Sequence, residues 1–462
     1  MEEKIDLHEI AKMVELDCAT VSEKGKEGVR RAFADTICVS FPGLKEPVYQ
    51  IFCDYAASLA PGKVSVPLLP NKLDAQPAAI AWGALGHAID FDDSCPKLCG
   101  HPSVVLVPAI LATAYQYRKS GKEALEAYIS GYEATNRFAI GVSSPQYDRG
   151  WHTTTTIGIF GAVVAVARLL GLHVGQTKQA LGLAASMAAG LQANFGTMTK
   201  PLHPGLTAAN AIFAAEMAAR GITSSPDAFD SAVSYFELYG GNFTPVPPER
   251  RFTDEGIIVK PYPSCGCTTR PNDLALELRN KYGVKPEDIE SIVCRISILT
   301  HSCLRYVIPQ NGMEAKFSLE YCLAKCLIGG AVQIGDFEDE YVRAQVGSEP
   351  MRPLMLKISR TIPDDLGKGV PFAEEYLELA VKLKDGRNLL LRAEQPKGFP
   401  ANPLTENEFL KKFTGCVKPL LSNDECMELY DKLIHIDAQE DLAVLVDRVV
   451  ALMNKINTKI RE

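Results

Sequence analysis

The sequence predicts a mainly helical protein with a smaller α+β part inserted before its last helices. Residues 7–220 show the helical spacing of apolar residues and contain no alternating run of β-branched residues long enough for a sheet. Residues 291–298 and 377–384 alternate between apolar and polar side chains, as half-buried strands do. Helical spacing returns over residues 405–453. We expect this last segment to pack against the first.

A change of composition after Phe243 marks the predicted domain boundary. Residues 244–271 contain six prolines, which is typical of an extended connection. Before it, Gly221 suits the position just beyond an Ala-rich helix over residues 205–220. We assign residues 1–262 to an all-α domain that residues 404–462 complete, and residues 263–403 to an α+β domain.

The length and charge limit the class of protein. A chain of 462 residues is too long for one ordinary core, so at least two domains are expected. The formal net charge of −8 argues against a binder of the phosphate backbone, and we expect no nucleic-acid partner. An anionic substrate then needs a local basic pocket, for which Lys and Arg residues in Gly- or Pro-rich loops are the candidates.

Targeting features favour a cytoplasmic protein without a membrane partner. The acidic, amphipathic N-terminal segment lacks the basic start and apolar run of a signal peptide. The longest apolar stretch, residues 157–172, is interrupted by Arg168 and is short for a bilayer span, so we predict a buried helix. Thirteen cysteines are an odd number, which fits reduced thiols better than a complete disulfide framework.

The sequence carries no signature of a cofactor or a metal. It has no dinucleotide glycine fingerprint, Walker A loop, HExxH or GxSxG motif. The pairs Cys95/Cys99 and Cys265/Cys267 differ from the C-x2-C spacing of common zinc sites, so we interpret them as small apolar side chains and expect no metal. The remaining residue types are His, Asp, Lys and Tyr, which suit acid–base chemistry on an anion.

Residues 86–103, GHAIDFDDSCPKLCGHPS, place acids and imidazoles in one short stretch. Its polar side chains include those of His87, Asp90, Asp92, Asp93, Ser94 and His101. Asp90 and Ser94 are four residues apart and would share a helix face if the helix continues through them. The alternative is a helix C-terminus that carries solvated acids.

His152 lies in residues 148–161, DRGWHTTTTIGIFG. It precedes four threonines that can cap a helix beginning near Ile157, at the positive end of the helix dipole. This position favours an imidazole that is open to solvent. A histidine that only caps or packs is the alternative.

Lys200 lies in residues 196–205, GTMTKPLHPG, a Gly/Pro loop that leads into the Ala-rich helix. An ammonium here can meet a substrate carboxylate close to free backbone N–H groups. His203 follows. The alternative is a surface lysine in a turn.

Residues 260–271, KPYPSCGCTTRP, lie at the composition boundary, where ligands often bind between domains. Lys260 and Arg270 can help to hold an anion. Cys265 is a further candidate, although the segment lacks a local signature of cysteine nucleophiles.

Tyr321 lies four residues after Phe317, a helical spacing for which packing is the default interpretation. A tyrosine at a domain boundary can also act as an acid, so Tyr321 is a minor catalytic candidate.

Taken together and in order, four segments resemble the MmgE/PrpD family. They are HAIDFDDS…HPS, GWHTTTTIGIFGAVVAVARLLGL, GTMTKPLHPG and KPYPSCGCTTRP, and the likeness continues to FTGCVKPLLSNDECMELYDKL. The family includes 2-methylcitrate dehydratase, cis-aconitate decarboxylase and iminodisuccinate epimerase. The resemblance implies a large all-α domain with an inserted α+β lid, and a homodimer.

The resemblance also implies an active site in the cleft between the domains. The residues it carries over are Asp90, Ser94, His101, His152, Lys200 and, from the lid, Tyr321. Ser94 stands where Thr is usual, and the connection from Ser94 to His101 is slightly longer than in the decarboxylase branch. Relatives commonly place a histidine in the KPYP segment, where this chain has Cys265 and Thr269.

The expected mechanism moves a proton at a carbon beside a carboxylate. Lys200 is assigned to carboxylate binding, and further substrate contacts are assigned to Ser94, Lys260 and Cys265. His101 and His152 are the acid–base pair, and Asp90 orients or tunes one of them. If a β-hydroxyl leaves, one histidine or Tyr321 protonates it. We expect a cofactor-independent lyase for a small di- or tricarboxylic acid, most similar to 2-methylcitrate dehydratase. The alternatives are an epimerase of an iminodisuccinate-like acid, a cis-aconitate decarboxylase, and a non-catalytic binding protein on the same scaffold.

Overall fold

The computed structural model describes residues 7–367, 370 and 374–460, with side chains to residue 455. The described chain divides into two compact units. The first comprises the chain up to Ala88, Asp92–Ile257 and the segment from Glu406 onward, and the second comprises Ile89–Phe91 and Ile258–Thr405. The first unit is helical and the second combines helices with a small sheet, which confirms the predicted fold class.

Helices provide the regular structure of the first unit. Its described residues outside them form only isolated β-bridges, short 3-10 turns and loops. The helices are His8–Ala11, Glu23–Gly43, Pro47–Ala56, Ala75–His87, Ser103–Gln116, Gly121–Ala139, Ser143–Asp148, Thr153–Thr156, Gly158–Leu170, Val174–Ala185, Thr199–Ala219, Tyr235–Tyr239, Phe252–Glu255, Glu406–Val417, Asn423–Ile434 and Leu442–Ile460.

The second unit is built on a four-stranded mixed sheet. Its strands are β1 (Ile289–Arg295), β2 (Ile358–Thr361), β3 (Leu377–Leu383) and β4 (Asn388–Ala393), in the spatial order β2-β1-β3-β4. β1 runs parallel to β2 and antiparallel to β3, and β3 runs antiparallel to β4. The helices of this unit are Thr269–Asn280, Ile298–Cys303, Gly312–Ala315, Leu319–Gly329, Asp339–Val346 and Met351–Leu356. Both segments predicted as strands are present, as β1 and β3.

The apolar stretch of the sequence forms the buried helix Gly158–Leu170. Arg168 is the charged residue in this apolar stretch. Its guanidinium donates hydrogen bonds to the carbonyls of Val14 and Leu16, at 3.1 and 2.9 Å. The window Thr153–Leu170 is long and apolar enough to cross a membrane by length and composition alone, but 89% of it is buried inside the protein. This helix is therefore part of the protein core.

The Ala-rich helix spans Thr199–Ala219 and begins earlier than the sequence suggested. Lys200 was expected in a loop, yet it lies in the first helical turn. Pro201 does not prevent this start, because the first N–H groups of a helix have no intrahelical acceptor. The predicted end is confirmed, since Gly221 has φ +95° just beyond the helix.

Two helices that carry polar candidates cross very closely. A Cβ on Gly83, in Ala75–His87, would lie 2.4 Å from Cα of Gly205 in Thr199–Ala219. No side chain fits in that space, so both positions require glycine. The backbones of the two helices therefore approach closely at this crossing.

The helix Ala75–His87 ends before the acidic stretch, so the condition for Asp90 and Ser94 to share a helix face is not met. Asp90 has φ +56°, a left-handed conformation that an α-helix cannot contain. The alternative of solvated acids also fails, because Asp90, Asp92 and Asp93 are buried. The stretch is an irregular, buried segment.

The C-terminal helices belong to the first unit. Lys412, in Glu406–Val417, forms an ion pair of 2.5 Å with Asp35 of Glu23–Gly43, and both side chains are almost inaccessible. This buried charge pair lies between helices that are distant in sequence.

Candidate active site

Four histidines of the first unit form a cluster, which we call the imidazole cluster: His87, His101, His152 and His203. The ring centroids of His87 and His101 are 4.7 Å apart, and those of His87 and His152 are 6.3 Å apart. The rings of His152 and His203 are separated by 5.3 Å. The structure thus brings the predicted acid–base pair into one group with two further imidazoles.

His101 is held in place by a tight loop over residues 95–100. The backbone groups of Cys95 and Gly100 bond to each other at 2.7 and 3.3 Å, and the His101 N–H donates to Thr154 Oγ1 at 3.0 Å. His101 Nδ1 lies 2.7 Å from the carbonyl oxygen of Asp93. A carbonyl oxygen only accepts, so Nδ1 carries a proton, and in this tautomer Nε2 bears the lone pair.

Asp92 contacts two imidazoles with its two carboxylate oxygens. Oδ1 lies 2.8 Å from Nδ1 of His87, and Oδ2 lies 3.4 Å from Nδ1 of His101. The side chains of Asp92 and His87 have no accessible surface. A carboxylate in this position stabilises positive charge that develops on either ring.

Asp93 is buried in a separate polar network. Its carboxyl oxygens accept from Ser103 N at 3.1 Å and are joined to Ser103 Oγ at 2.5 Å, and Ser103 Oγ also contacts Tyr128. Burial raises the pKa of Asp93 to about 8, with the neighbouring carboxylates Asp92 and Asp35 adding to the effect. Asp93 is therefore mainly protonated at neutral pH and serves the site through its backbone carbonyl.

His152 immediately precedes the short helix Thr153–Thr156. The threonines that were expected to cap a later helix form this turn themselves. The His152 N–H donates to the carbonyl of Gly190 at 3.0 Å. Gly190 has φ +133°, and a Cβ there would lie 2.3 Å from Thr155 Oγ1, so glycine is required beside the histidine.

The electrostatic surroundings keep His152 and His203 neutral. His152 Nδ1 lies 3.0 Å from His203 Nδ1. Burial lowers the pKa of His152 well below its ordinary value, and the charge of Lys200 lowers it further. Burial likewise lowers the pKa of His203 to about 4. His152 is buried, so the predicted solvent-open imidazole is not observed.

Lys200 lies beside the imidazole cluster. Its Nζ is 5.4 Å from the centre of the Phe195 ring, and that ring packs edge-on against His152 at 4.9 Å. Lys200 is only 4% exposed, so the alternative of a surface lysine is wrong. A buried ammonium next to neutral imidazoles is suited to hold an anion.

In the second unit, Lys260 and Asp90 pair with each other. Lys260 Nζ lies 2.6 Å from Asp90 Oδ1 and donates to the Asp90 carbonyl at 3.0 Å, and both side chains are buried. Cys265 is partly exposed, and a hydrogen bond from the Cys267 thiol lowers the pKa of the Cys265 thiol. These candidates lie within the same unit, and the thiol next to Cys265 belongs to the Cys265/Cys267 pair noted in the sequence.

Tyr321 is buried in the second unit, where its hydroxyl donates to the carbonyl of Asp336 at 2.5 Å. This contact favours the packing interpretation of Tyr321. Ser94, in the first unit, is partly exposed.

Sequence reasoning did not select His87, Asp92 or His203 as site residues. For His203 a signal existed, because Lys200 and His203 are three residues apart and share a face once the helix begins at Thr199. For His87 and Asp92 no local pattern was available, since the segment between them is irregular.

The thiol pair of the first unit has separate partners. Cys95 Sγ donates to Asn136 Oδ1 at 3.2 Å, and Cys99 Sγ donates to the carbonyl of Pro96 at 3.4 Å.

Ligand atoms of His87, Asp92 and His101 lie within 4.8 Å of one another, and this set could hold a metal ion. The contacts of Asp92 with Nδ1 of His87 and Nδ1 of His101 bring these ligand atoms together.

Curated relatives cover nearly the whole chain. Cis-aconitate decarboxylase of Homo sapiens is 26% identical over 440 residues, which are 90% of this chain and 88% of the relative. The Mus musculus protein of the same name is 25% identical, with coverages of 90% and 87%, and an Aspergillus terreus protein of that name is 22% identical, with 91% of each chain covered. Together with the imidazole cluster, these likenesses define a lyase-type enzyme.

Family matches span both parts of the chain. Residues 8–247 match the MmgE/PrpD N-terminal domain, and residues 262–436 match the MmgE/PrpD C-terminal domain. The chain belongs to the MmgE/PrpD family, which confirms the resemblance found in its motifs.

Proposed function

We propose that the protein is a lyase that moves a proton at a carbon beside a carboxylate of a small di- or tricarboxylic acid. The observation that carries this proposal is the imidazole cluster next to the buried ammonium of Lys200. Removing such a proton creates an enolate-like state, which needs positive charge and hydrogen bonds. Lys200 supplies the charge and the imidazoles supply the hydrogen bonds and the base.

His101 is the proton acceptor in this proposal. Its Nδ1 proton is committed to the Asp93 carbonyl, so Nε2 presents a lone pair. When Nε2 takes up the substrate proton, the ring becomes an imidazolium. Asp92, 3.4 Å from Nδ1, stabilises that charge.

His152 acts as a neutral hydrogen-bond donor. Its lowered pKa keeps the ring uncharged, and its Nδ1 faces His203. If Nδ1 accepts from His203, Nε2 carries the proton and can donate to the enolate oxygen. A neutral imidazole that polarises a carbonyl oxygen is a known catalytic device.

Dehydration is the first outcome of this proton transfer. The C–H proton passes to His101 and the electron pair forms the alkene. The β-hydroxyl takes a proton from the resulting His101 imidazolium and departs as water. The retained histidines and the lysine provide all the acid–base groups that this reaction requires.

Decarboxylation of cis-aconitate is the second candidate, because the curated relatives carry that name. The electron pair left by carbon dioxide would then be protonated by an imidazolium of the same cluster. The family resemblance implies a histidine in the KPYP segment, where this chain has Cys265 and Thr269, and this difference weighs against the candidate.

Proton NMR in deuterated water tests the proposal with 2-methylcitrate, citrate, cis-aconitate and iminodisuccinate in separate tubes. Alkene formation from a hydroxy acid establishes dehydration, and itaconate establishes decarboxylation. Deuterium incorporation with an unchanged skeleton establishes epimerisation. Binding without any of these changes would contradict the proposal and favour the non-catalytic alternative.

Substitution of Lys200 tests whether the measured activity arises at this site. We expect Lys200→Met to lower kcat/KM by about a hundredfold or more, because the lost charge is buried next to the reacting anion. The control is Lys63→Met, which removes a lysine outside the cluster. Near-normal activity in Lys200→Met would remove this residue from the site.

A further inference from the structure

One nitrogen of His87 has no role in the interactions described so far. Nδ1 lies 2.8 Å from Asp92 Oδ1 and therefore carries the proton that is donated to the carboxylate. In the tautomer with this proton on Nδ1, Nε2 holds a lone pair and acts as a hydrogen-bond acceptor. Among the described residues, His87 Nε2 is buried and has no hydrogen-bond partner.

A buried polar atom of this kind destabilises the protein unless a bound group satisfies it. The place of His87 in the imidazole cluster suggests what that group is. Its ring lies 4.7 Å from that of the proposed base His101 and 6.3 Å from that of His152. The unsatisfied acceptor is therefore among the groups that the proposed function assigns to the reacting centre.

We propose that His87 is a further catalytic residue whose Nε2 accepts a hydrogen bond from a hydroxyl group of the substrate. Asp92 is the positioning residue, because its contact with Nδ1 fixes the tautomer that presents the lone pair. Ionised carboxylates and alkene carbons cannot donate to such an acceptor, whereas a hydroxyl can. The inference rests on the proposed function and narrows its substrates to hydroxylated di- or tricarboxylic acids.

A pair of probes isolates the hydroxyl group. Citrate and propane-1,2,3-tricarboxylate carry the same three carboxylates, and only citrate has a hydroxyl. We expect isothermal titration to show citrate bound at least about tenfold more tightly by the unaltered protein, as one hydrogen bond to a buried partner implies. In His87→Asn this preference should fall to about one, since the shorter amide reaches Asp92 but leaves nothing at the Nε2 position.

Two further variants separate binding from folding. His87→Gln places an amide oxygen near the Nε2 position, and we expect it to restore part of the citrate preference. His435→Asn makes the same change as His87→Asn at an exposed histidine and should leave the preference unchanged. A purely structural role for His87 would lower the urea midpoint in His87→Asn without changing the ratio of the two affinities.

The outcomes distinguish this inference from the proposed function. An unchanged preference for citrate in His87→Asn overturns the role of His87 while the proposed lyase activity stands. Failure of the unaltered protein to bind or convert any of the acids overturns the proposed function and the inference together. Loss of the citrate preference on adding EDTA, with recovery on adding Zn²⁺, would assign Nε2 to a metal ion and also overturn the inference.

Discussion

His152 Nδ1 and His203 Nδ1 lie 3.0 Å apart, within hydrogen-bonding distance. Two neutral imidazoles can share this contact only if one nitrogen donates and the other accepts. The tautomer of His203 therefore determines whether Nε2 of His152 is a donor or an acceptor. His203 is not a proposed substrate contact, but it thus determines which nitrogen of His152 carries the proton.

Substitution of His203 tests this relationship. We expect His203→Leu to lower kcat by about tenfold with little change in KM, because His152 loses the partner that fixes its tautomer. His203→Asn keeps a polar group near the former Nδ1 and should retain more activity. The decisive measurement is ¹⁵N NMR of His152, whose tautomer should change in the leucine variant. An unchanged His152 spectrum in His203→Leu would contradict the prediction.

The raised pKa of Asp93 predicts a stability that depends on pH. The folded protein keeps a proton on this carboxyl up to about pH 8, whereas the unfolded chain loses it near its ordinary value of 3.8. The contribution of Asp93 to stability is fully present below pH 3.8 and is lost as the pH rises from there towards 8. The slope is up to about 1.4 kcal/mol per pH unit.

Asp93→Asn is the matched variant, since an amide imitates the protonated acid and cannot ionise. We expect its free energy of unfolding, measured by urea titration and compared with the unaltered protein, to become relatively more favourable between pH 6 and pH 8. A difference that stays constant over this range would show that Asp93 does not change its ionisation there.

The buried pair Asp35–Lys412 predicts a strong effect of single substitutions. Lys412→Met leaves the Asp35 carboxylate buried without its cation, and we expect a loss of about 3–5 kcal/mol in the free energy of unfolding. The double variant Asp35→Leu/Lys412→Met removes both charges and should recover most of that loss. Additive destabilisation in the double variant would mean that the two residues do not act as a pair.

Tyr321→Phe distinguishes packing from catalysis in the second unit. The hydroxyl donates to the Asp336 carbonyl, so its removal should lower stability by about 1 kcal/mol and leave kcat nearly unchanged. The measurements are steady-state kinetics and urea unfolding of the same preparation. A large drop in kcat with unchanged stability would restore Tyr321 as an acid.

The features that sequence predicted well are those that depend on local pattern. The helix over Gly158–Leu170 follows from continuous apolar spacing, and the end of the Ala-rich helix follows from Gly221, whose φ of +95° few other residues adopt easily. The start of that helix lies earlier than predicted, because the Gly/Pro-rich segment that indicates a loop forms its first turns. Proline is compatible with a first turn, so the pattern was ambiguous there.

Local sequence patterns could not predict which side chains contact each other in the candidate site. His87 and Asp92 are separated by a segment in which Asp90 takes a left-handed conformation, and no periodicity describes their contact. The partners of His152 are equally non-local, since His203 lies on a different helix. Residue types indicated acid–base chemistry, but only the folded chain shows which nitrogen carries which proton.

The close crossing at Gly83 and Gly205 also limits how this enzyme can be engineered. Replacing a helical glycine by alanine is a usual route to greater thermal resistance, because it restricts the unfolded chain. Here an added methyl group would push apart the helix that ends at His87 and the helix that begins with Lys200 and His203. The spacing of the reacting groups would widen with it, so alanine at either position should lower both the thermal stability and the turnover of the enzyme.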